Sequence, residues 1–117
     1  MLRRAAYIVA LAGFIAVLSP GSRADEASEE IYSNYHRAIR AYELCNDRSF
    51  DQAEHEKMSI YIDQKIHDSL SVGRRLTLIE QAKAEARDLV DRYGCDSERV
   101  QELLSLFSRE LQPTLMQ

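Results

Sequence analysis

The chain's three histidines, His36, His55 and His67, are the side chains best suited to metal binding or proton transfer near neutral pH. Asp63 lies one helical turn before His67 and two turns after His55, a spacing that can bring ligands towards one divalent cation. The same spacing is typical of a solvated helix flank with a weak Asp–His pair. We therefore predict no metal site.

No motif of a known catalytic or cofactor site is present. The sequence contains no HExxH, CxxC, CxxCH or GxSxG pattern and no glycine-rich phosphate loop. Met58 with a histidine could ligate haem in a helical bundle, but a methionine at helical spacing is more typical of a core residue. We predict no catalytic residue, no cofactor and no enzymatic activity.

The N-terminal residues 1–24 have the order of a secretory signal peptide. Arg3 and Arg4 precede an apolar run over residues 5–18, and Ser22-Arg23-Ala24 offers small residues at the positions a signal peptidase reads. The run is shorter than the roughly 18–20 residues that a membrane-spanning helix needs. We expect cleavage near Ala24, periplasmic or secreted localisation, one domain over residues 25–117, and no stable membrane insertion after cleavage.

Cys45 and Cys95 are the only cysteines of the chain. In an oxidising compartment a cysteine pair favours a disulfide over a redox or metal site. The sequence therefore predicts a Cys45–Cys95 bond.

Export changes the charge of the protein. Loss of Arg3, Arg4 and Arg23 takes the formal net charge from −4 to −7. An acidic surface repels nucleic-acid phosphates and anionic lipid headgroups and favours cationic partners.

Apolar residues recur at helical spacing through most of residues 25–117, as in the stripe of Ile31, Tyr35, Ala38, Tyr42 and Cys45. Gly73, Gly94 and Pro113 are the remaining helix breakers, and Gly94 is placed to end a helix with positive φ. Four helices are expected, and their predicted starts are Ser28, the capping boxes Ser49–Gln52 and Thr77–Glu80, and Asp96. Pro113 is expected past the end of the fourth.

Short connections between helices of fifteen to twenty residues favour antiparallel neighbours. The predicted fold is all-α, a small up-down-up-down four-helix bundle. Its first and third helices run parallel, which brings Cys45 and Cys95 to the same end.

Three residues are the candidates for partner binding. Tyr32 is predicted at the exposed edge of the first stripe, and Arg74 and Arg75 form the only dibasic pair after residue 24. We expect an exported protein that acts by binding a protein partner. The more specific hypothesis is that it binds or inhibits a cationic envelope protein such as a cell-wall hydrolase or a toxin. The alternatives are a chaperone-like or stress-response protein and a carrier of a small ligand or metal.

Overall fold

The structure is a computed structural model that describes residues 20–117. Most of the predicted signal peptide, residues 1–19, lies outside the described residues, so its cleavage stays a prediction. The predicted cut after Ala24 falls within the first helix, which begins at Pro20.

Four helices connected by short loops make up this part of the chain, and no strand occurs within it. The fourth helix has three consecutive parts, an α-helical one, a π-helical one and a last α-helical turn. The elements are α1 (Pro20–Asn46), α2 (Gln52–Lys65), α3 (Val72–Tyr93) and α4 (Glu98–Leu106, π-helical Phe107–Leu111, and Gln112–Leu115). The predicted all-α bundle is confirmed.

Helix α1 is the centre of the bundle, because α2, α3 and α4 all pack against it. Glu29 near the start of α1 pairs with Arg74 near the start of α3, and Cys45 and Cys95 meet at the other end, so these helices are parallel. Helices α2 and α3 have few direct contacts with each other, which leaves a cleft between them.

The core is continuous along the bundle. The rings of Tyr42, Phe50 and Phe107 stack on one another, with the Tyr42 and Phe107 centroids 4.1 Å apart. Met58 is fully buried among apolar side chains, as expected for a core methionine. Burying such side chains contributes roughly 1.5–3 kcal/mol each.

All four predicted helix starts are wrong in position. Ser28 lies inside α1, where its hydroxyl bonds to that of Ser69. Helix α2 is capped by Asp51, whose carboxylate accepts from the Glu54 N–H while the Glu54 side chain accepts from the Asp51 N–H. A capping box therefore does begin α2, but it starts two residues later than predicted.

Serines cap the last two helices. Ser71 caps α3, six residues before the predicted Thr77, and the Thr77 hydroxyl donates to the Gly73 carbonyl inside the helix. Ser97 caps α4 in place of its neighbour Asp96. Gly94 ends α3 with φ +84°, the positive value that the sequence predicted.

Pro113 lies within α4 and not past its end, which corrects the sequence prediction. A proline has no N–H to donate, and its ring crowds the carbonyl four residues before it. The turn before Pro113 is widened to a π-helix, in which the Gln112 N–H donates to the Phe107 carbonyl five residues back. The wider turn accommodates the proline, and the helix continues to Leu115.

The π-helical segment also carries the carboxylate that links α4 to two other helices. Glu110 Oε1 accepts from the hydroxyls of Tyr35 on α1, at 2.5 Å, and Tyr61 on α2, at 2.7 Å. The hydrogen bond from Tyr35 is the main cause that holds the pKa of Glu110 below its usual value.

The predicted disulfide is confirmed: Cys45 and Cys95 are bonded, with their Cα atoms 5.8 Å apart. Their sequence separation is 50 residues. Closing a loop of this size stabilises the fold by about 4 kcal/mol on the chain-entropy model.

The Cys45→Ser/Cys95→Ser double variant should therefore melt more than about 10 °C below the parent, since about 1 kcal/mol corresponds to roughly 4–8 °C in a domain of this size. Differential scanning calorimetry measures the change, and the parent with its disulfide reduced is the matched control. A double variant that melts with the oxidised parent would contradict the prediction.

Candidate functional site

Tyr32, predicted to be exposed, is buried with 4% of its surface accessible. Its ring lies 4.5 Å from that of His36, and burial raises the pKa of its hydroxyl to about 12. The prediction assumed that α1 buries only one stripe of side chains, whereas three helices pack against α1. Tyr32 therefore belongs to the core and not to a binding surface.

Arg74 and Arg75 are both engaged within the fold. Arg74 makes two hydrogen bonds of 2.7 Å to the carboxylate of Glu29 on α1. Arg75 pairs with Asp63 of α2 at 3.0 Å and donates to the Leu70 carbonyl at 2.9 Å. The two arginines tie the start of α3 to α1 and to α2.

The residues considered as metal ligands, His55, Asp63 and His67, do not form a common site. Asp63 is held by Arg75, and His67 lies beyond the end of α2 with φ 54°. Among residues 25–117, no group of three or more histidine, cysteine, aspartate or glutamate side chains is arranged to hold a metal ion.

Most of the net negative charge lies at the disulfide end of the bundle, a region we call the acidic pole and define as residues 44–54 and 88–102. These two segments contain eight acidic and three basic side chains, a net charge of −5 out of the −7 carried by residues 25–117. The α1–α2 and α3–α4 loops both lie at this end, where the disulfide joins the last turn of α1 to the α3–α4 loop.

Several carboxylates of the acidic pole are available to a partner. Asp47, Asp96 and Glu98 are exposed, and none of the three forms a salt bridge with another residue of the described part. Glu98 also lines a shallow depression of about 480 Å³ between the end of α3 and the start of α4. Tyr93 is 46% exposed there, with the Arg99 guanidinium 4.7 Å from the centre of its ring.

The second candidate is the cleft between α2 and α3, which has a volume of about 370 Å³. Ligand-binding clefts range from roughly 300 to 1,000 Å³. Helix α1 forms the floor of the cleft, α2 one wall and α3 the other. Its lining residues are His36, Ile39, Arg40, Glu43, His55, Ser59, Ile79 and Lys83.

Glu43 organises one end of this cleft. Its Oε2 accepts from the Phe50 N–H at 2.9 Å, and its Oε1 accepts from Arg40 at 3.2 Å. The His55 Nε2 lies 3.8 Å from Oε2, too far for a hydrogen bond. The buried carboxylate thus fixes the α1–α2 loop against α1.

His36 is 8% exposed, and its Nε2 is buried without a hydrogen-bond partner. Burial, with a smaller contribution from the nearby His55, lowers the pKa of this imidazole to about 4. His36 is therefore neutral in the folded protein near pH 7, with hydrogen-bonding capacity that no other described residue uses.

The sequence contains a signal for this cleft beside the core stripe of α1. His36, Ile39, Arg40 and Glu43 recur at steps of three, one and three, a second stripe beside the core stripe of α1. A second stripe with buried polar residues indicates a helix that is covered on more than one side.

No family model, curated protein or solved structure matches this chain. Functional inference therefore depends on the charges, cavities and contacts of the protein itself. None of the helices within residues 20–117 has the length and apolar character to cross a membrane.

Replacing Glu43 with leucine should lower the free energy of unfolding by about 1–3 kcal/mol, because the buried Phe50 N–H loses its acceptor. Urea unfolding at pH 7 measures the loss. Arg40→Gln is the matched control, since it removes the ion pair with Glu43 and leaves the Phe50 hydrogen bond in place. Equal losses in the two variants would contradict the assigned role of the Phe50 contact.

The buried imidazole predicts a specific loss of stability in acid. The unfolded chain protonates His36 below about pH 6.5, whereas the folded protein does so only near pH 4. Unfolding therefore takes up a proton in this window. The free energy of unfolding should fall as the pH falls from about 6.5 to 4, by on the order of 3 kcal/mol.

His36→Leu should remove this part of the pH dependence, as measured by urea unfolding between pH 7 and pH 4. His67→Asn is the matched control, because His67 is exposed and asparagine tolerates its positive φ. The same acid slope in His36→Leu and in the parent would show that another group is responsible.

Proposed function

We propose that the protein is exported and acts without catalysis by binding a cationic protein of the cell envelope through the acidic pole. The observation that carries the proposal is the concentration of a net charge of −5 in two segments at one end of the bundle. The disulfide supports the compartment, because such bonds persist in oxidising surroundings.

The acidic pole is suited to electrostatic recognition. Clustered charge of one sign steers an oppositely charged partner and speeds association. The Cys45–Cys95 bond joins the two segments that carry the charge, which reduces the ordering that a partner must impose on binding.

Tyr93 supplies an anchor of the kind that protein interfaces use. Tyrosine and arginine are enriched at the residues that dominate binding energy, usually inside a rim of polar groups. Tyr93 and Arg99 lie together at the acidic pole, with Glu98 and Glu102 beside them in the same depression. Tyr93 thus takes the role that the sequence had suggested for Tyr32.

The test begins with capture of a partner from the organism's own envelope fraction by the mature protein with its disulfide intact. The captured protein should be basic, and its association rate constant should fall at least tenfold as salt rises from about 0.05 to 0.5 M, because the charges become screened. Surface plasmon resonance measures the rate. The proposal would be overturned if the captured partner is not basic, or if the association rate constant does not change with salt concentration.

A charge-matched pair of variants tests the location of the site. The variant Asp47→Asn/Asp96→Asn/Glu98→Gln removes three charges from the acidic pole and should slow association several-fold.

The control Asp25→Asn/Glu26→Gln/Asp68→Asn removes three exposed charges from the opposite end of the bundle. Its association rate should remain closer to that of the parent. If both triple variants slow association equally, net charge and not the acidic pole controls binding.

A further inference from the structure

The cleft between α2 and α3 has a charge opposite to that of the rest of the protein. Arg40 and Lys83 line it together with a single carboxylate, that of Glu43, which already accepts from Arg40 and from a backbone N–H. Arg40, Lys83 and Glu43 give the cleft a net charge of +1 in a domain of −7. Such a cleft favours an anionic ligand.

The lining of the cleft also includes apolar side chains. Ile79 in the α3 wall is half-buried and offers hydrocarbon surface, and the nearly buried Ile39 lies in the floor, which favours a ligand with an apolar body. Lys83 is exposed, and its pairing with Glu80 is long, at 3.5 Å, so its ammonium group is available to a ligand.

The floor of the cleft contains a polar group that the protein leaves unsatisfied. His36 lines the cleft, and the Nε2 of its ring is buried with no partner in the described part of the chain. A buried polar atom without a hydrogen bond costs about 1–3 kcal/mol, so it calls for an explanation. Because Nε2 is buried even with the cleft empty, a ligand there meets the accessible part of the His36 ring, and a turn of the ring would bring Nε2 to it.

We propose that this cleft binds a small monocarboxylate with an apolar body, such as an arylalkyl or short alkyl acid. The apolar body lies between Ile39 and Ile79, the carboxylate pairs with Lys83, and the ligand contacts the imidazole of His36. The site is separate from the acidic pole in charge and in its principal residues, and it does not depend on partner binding.

Phenylacetate is the probe for the test. Its addition at millimolar concentration should shift the imidazole resonances of His36 saturably in NMR spectra of the mature protein, with smaller changes at the exposed His67. Phenylacetamide, which lacks the charge, should bind roughly three- to fivefold more weakly, the difference expected of one partly exposed ion pair. Phenethylamine should not bind.

Two substitutions separate the site from non-specific binding. Lys83→Gln should weaken phenylacetate binding roughly three- to fivefold, because it removes an exposed cation without altering the core. Lys57→Gln is the matched control, since this lysine lies on α2 outside the cleft, and its affinity should equal that of the parent.

Ser59→Trp should abolish binding by filling the cleft, with circular dichroism and the melting temperature reporting that the variant folds. If it fails to fold, the Lys83 and Lys57 pair still decides the outcome. The proposal is overturned if phenylacetate leaves the His36 resonances unchanged, if the three probes bind equally, or if Lys83→Gln binds as tightly as Lys57→Gln.

Discussion

The central position of α1 is the constraint on which the rest of the structure depends. A helix in a simple bundle buries one stripe and leaves its opposite face in water. Here α2, α3 and α4 all pack on α1, so positions beyond the apolar stripe are buried as well. Three of the four buried polar residues of the described chain, Ser33, His36 and Glu43, therefore lie on this one helix.

The buried polar residues of α1 differ in how many of their polar atoms have hydrogen-bond partners. The cost of burying the Glu43 carboxylate is compensated, because it accepts hydrogen bonds from a backbone N–H and from Arg40. These contacts hold the α1–α2 loop in place. His36 has no such partner for its Nε2 and is kept neutral by burial. The same helix thus contains the bundle's best-compensated buried charge and its clearest uncompensated polar atom.

The sequence predicted the helices, the topology and the disulfide because each depends on a repeated or global feature. Apolar spacing identifies helices, and short loops with two cysteines at the ends of parallel helices limit the topology. The helix starts were wrong because several serine, threonine and aspartate residues near each start suit a cap, and local pattern alone does not choose between Ser49 and Asp51 or between Thr77 and Ser71. Tyr32 was misjudged, and the burial of His36 was not predicted, for a different reason: the burial of both depends on how many helices cover α1, which no stripe on α1 reveals by itself.

The π-helical turn of α4 has a consequence for the tolerance of this helix to insertions and deletions. An α-helix advances about 100° per residue, so one extra residue within a single turn puts the parts before and after it out of phase. Leu103 before Phe107–Leu111 and Thr114 after it are both buried. Removing one residue from this segment would turn the wide turn into an ordinary α-helical one and leave the two parts of α4 in phase, but it would displace Glu110 from the two tyrosines and crowd the Pro113 ring against a carbonyl. Helix α4 can therefore lose a residue here without turning its last turn outwards, whereas the α1–α2 loop is constrained in length, because Phe50 packs in the core and donates to Glu43.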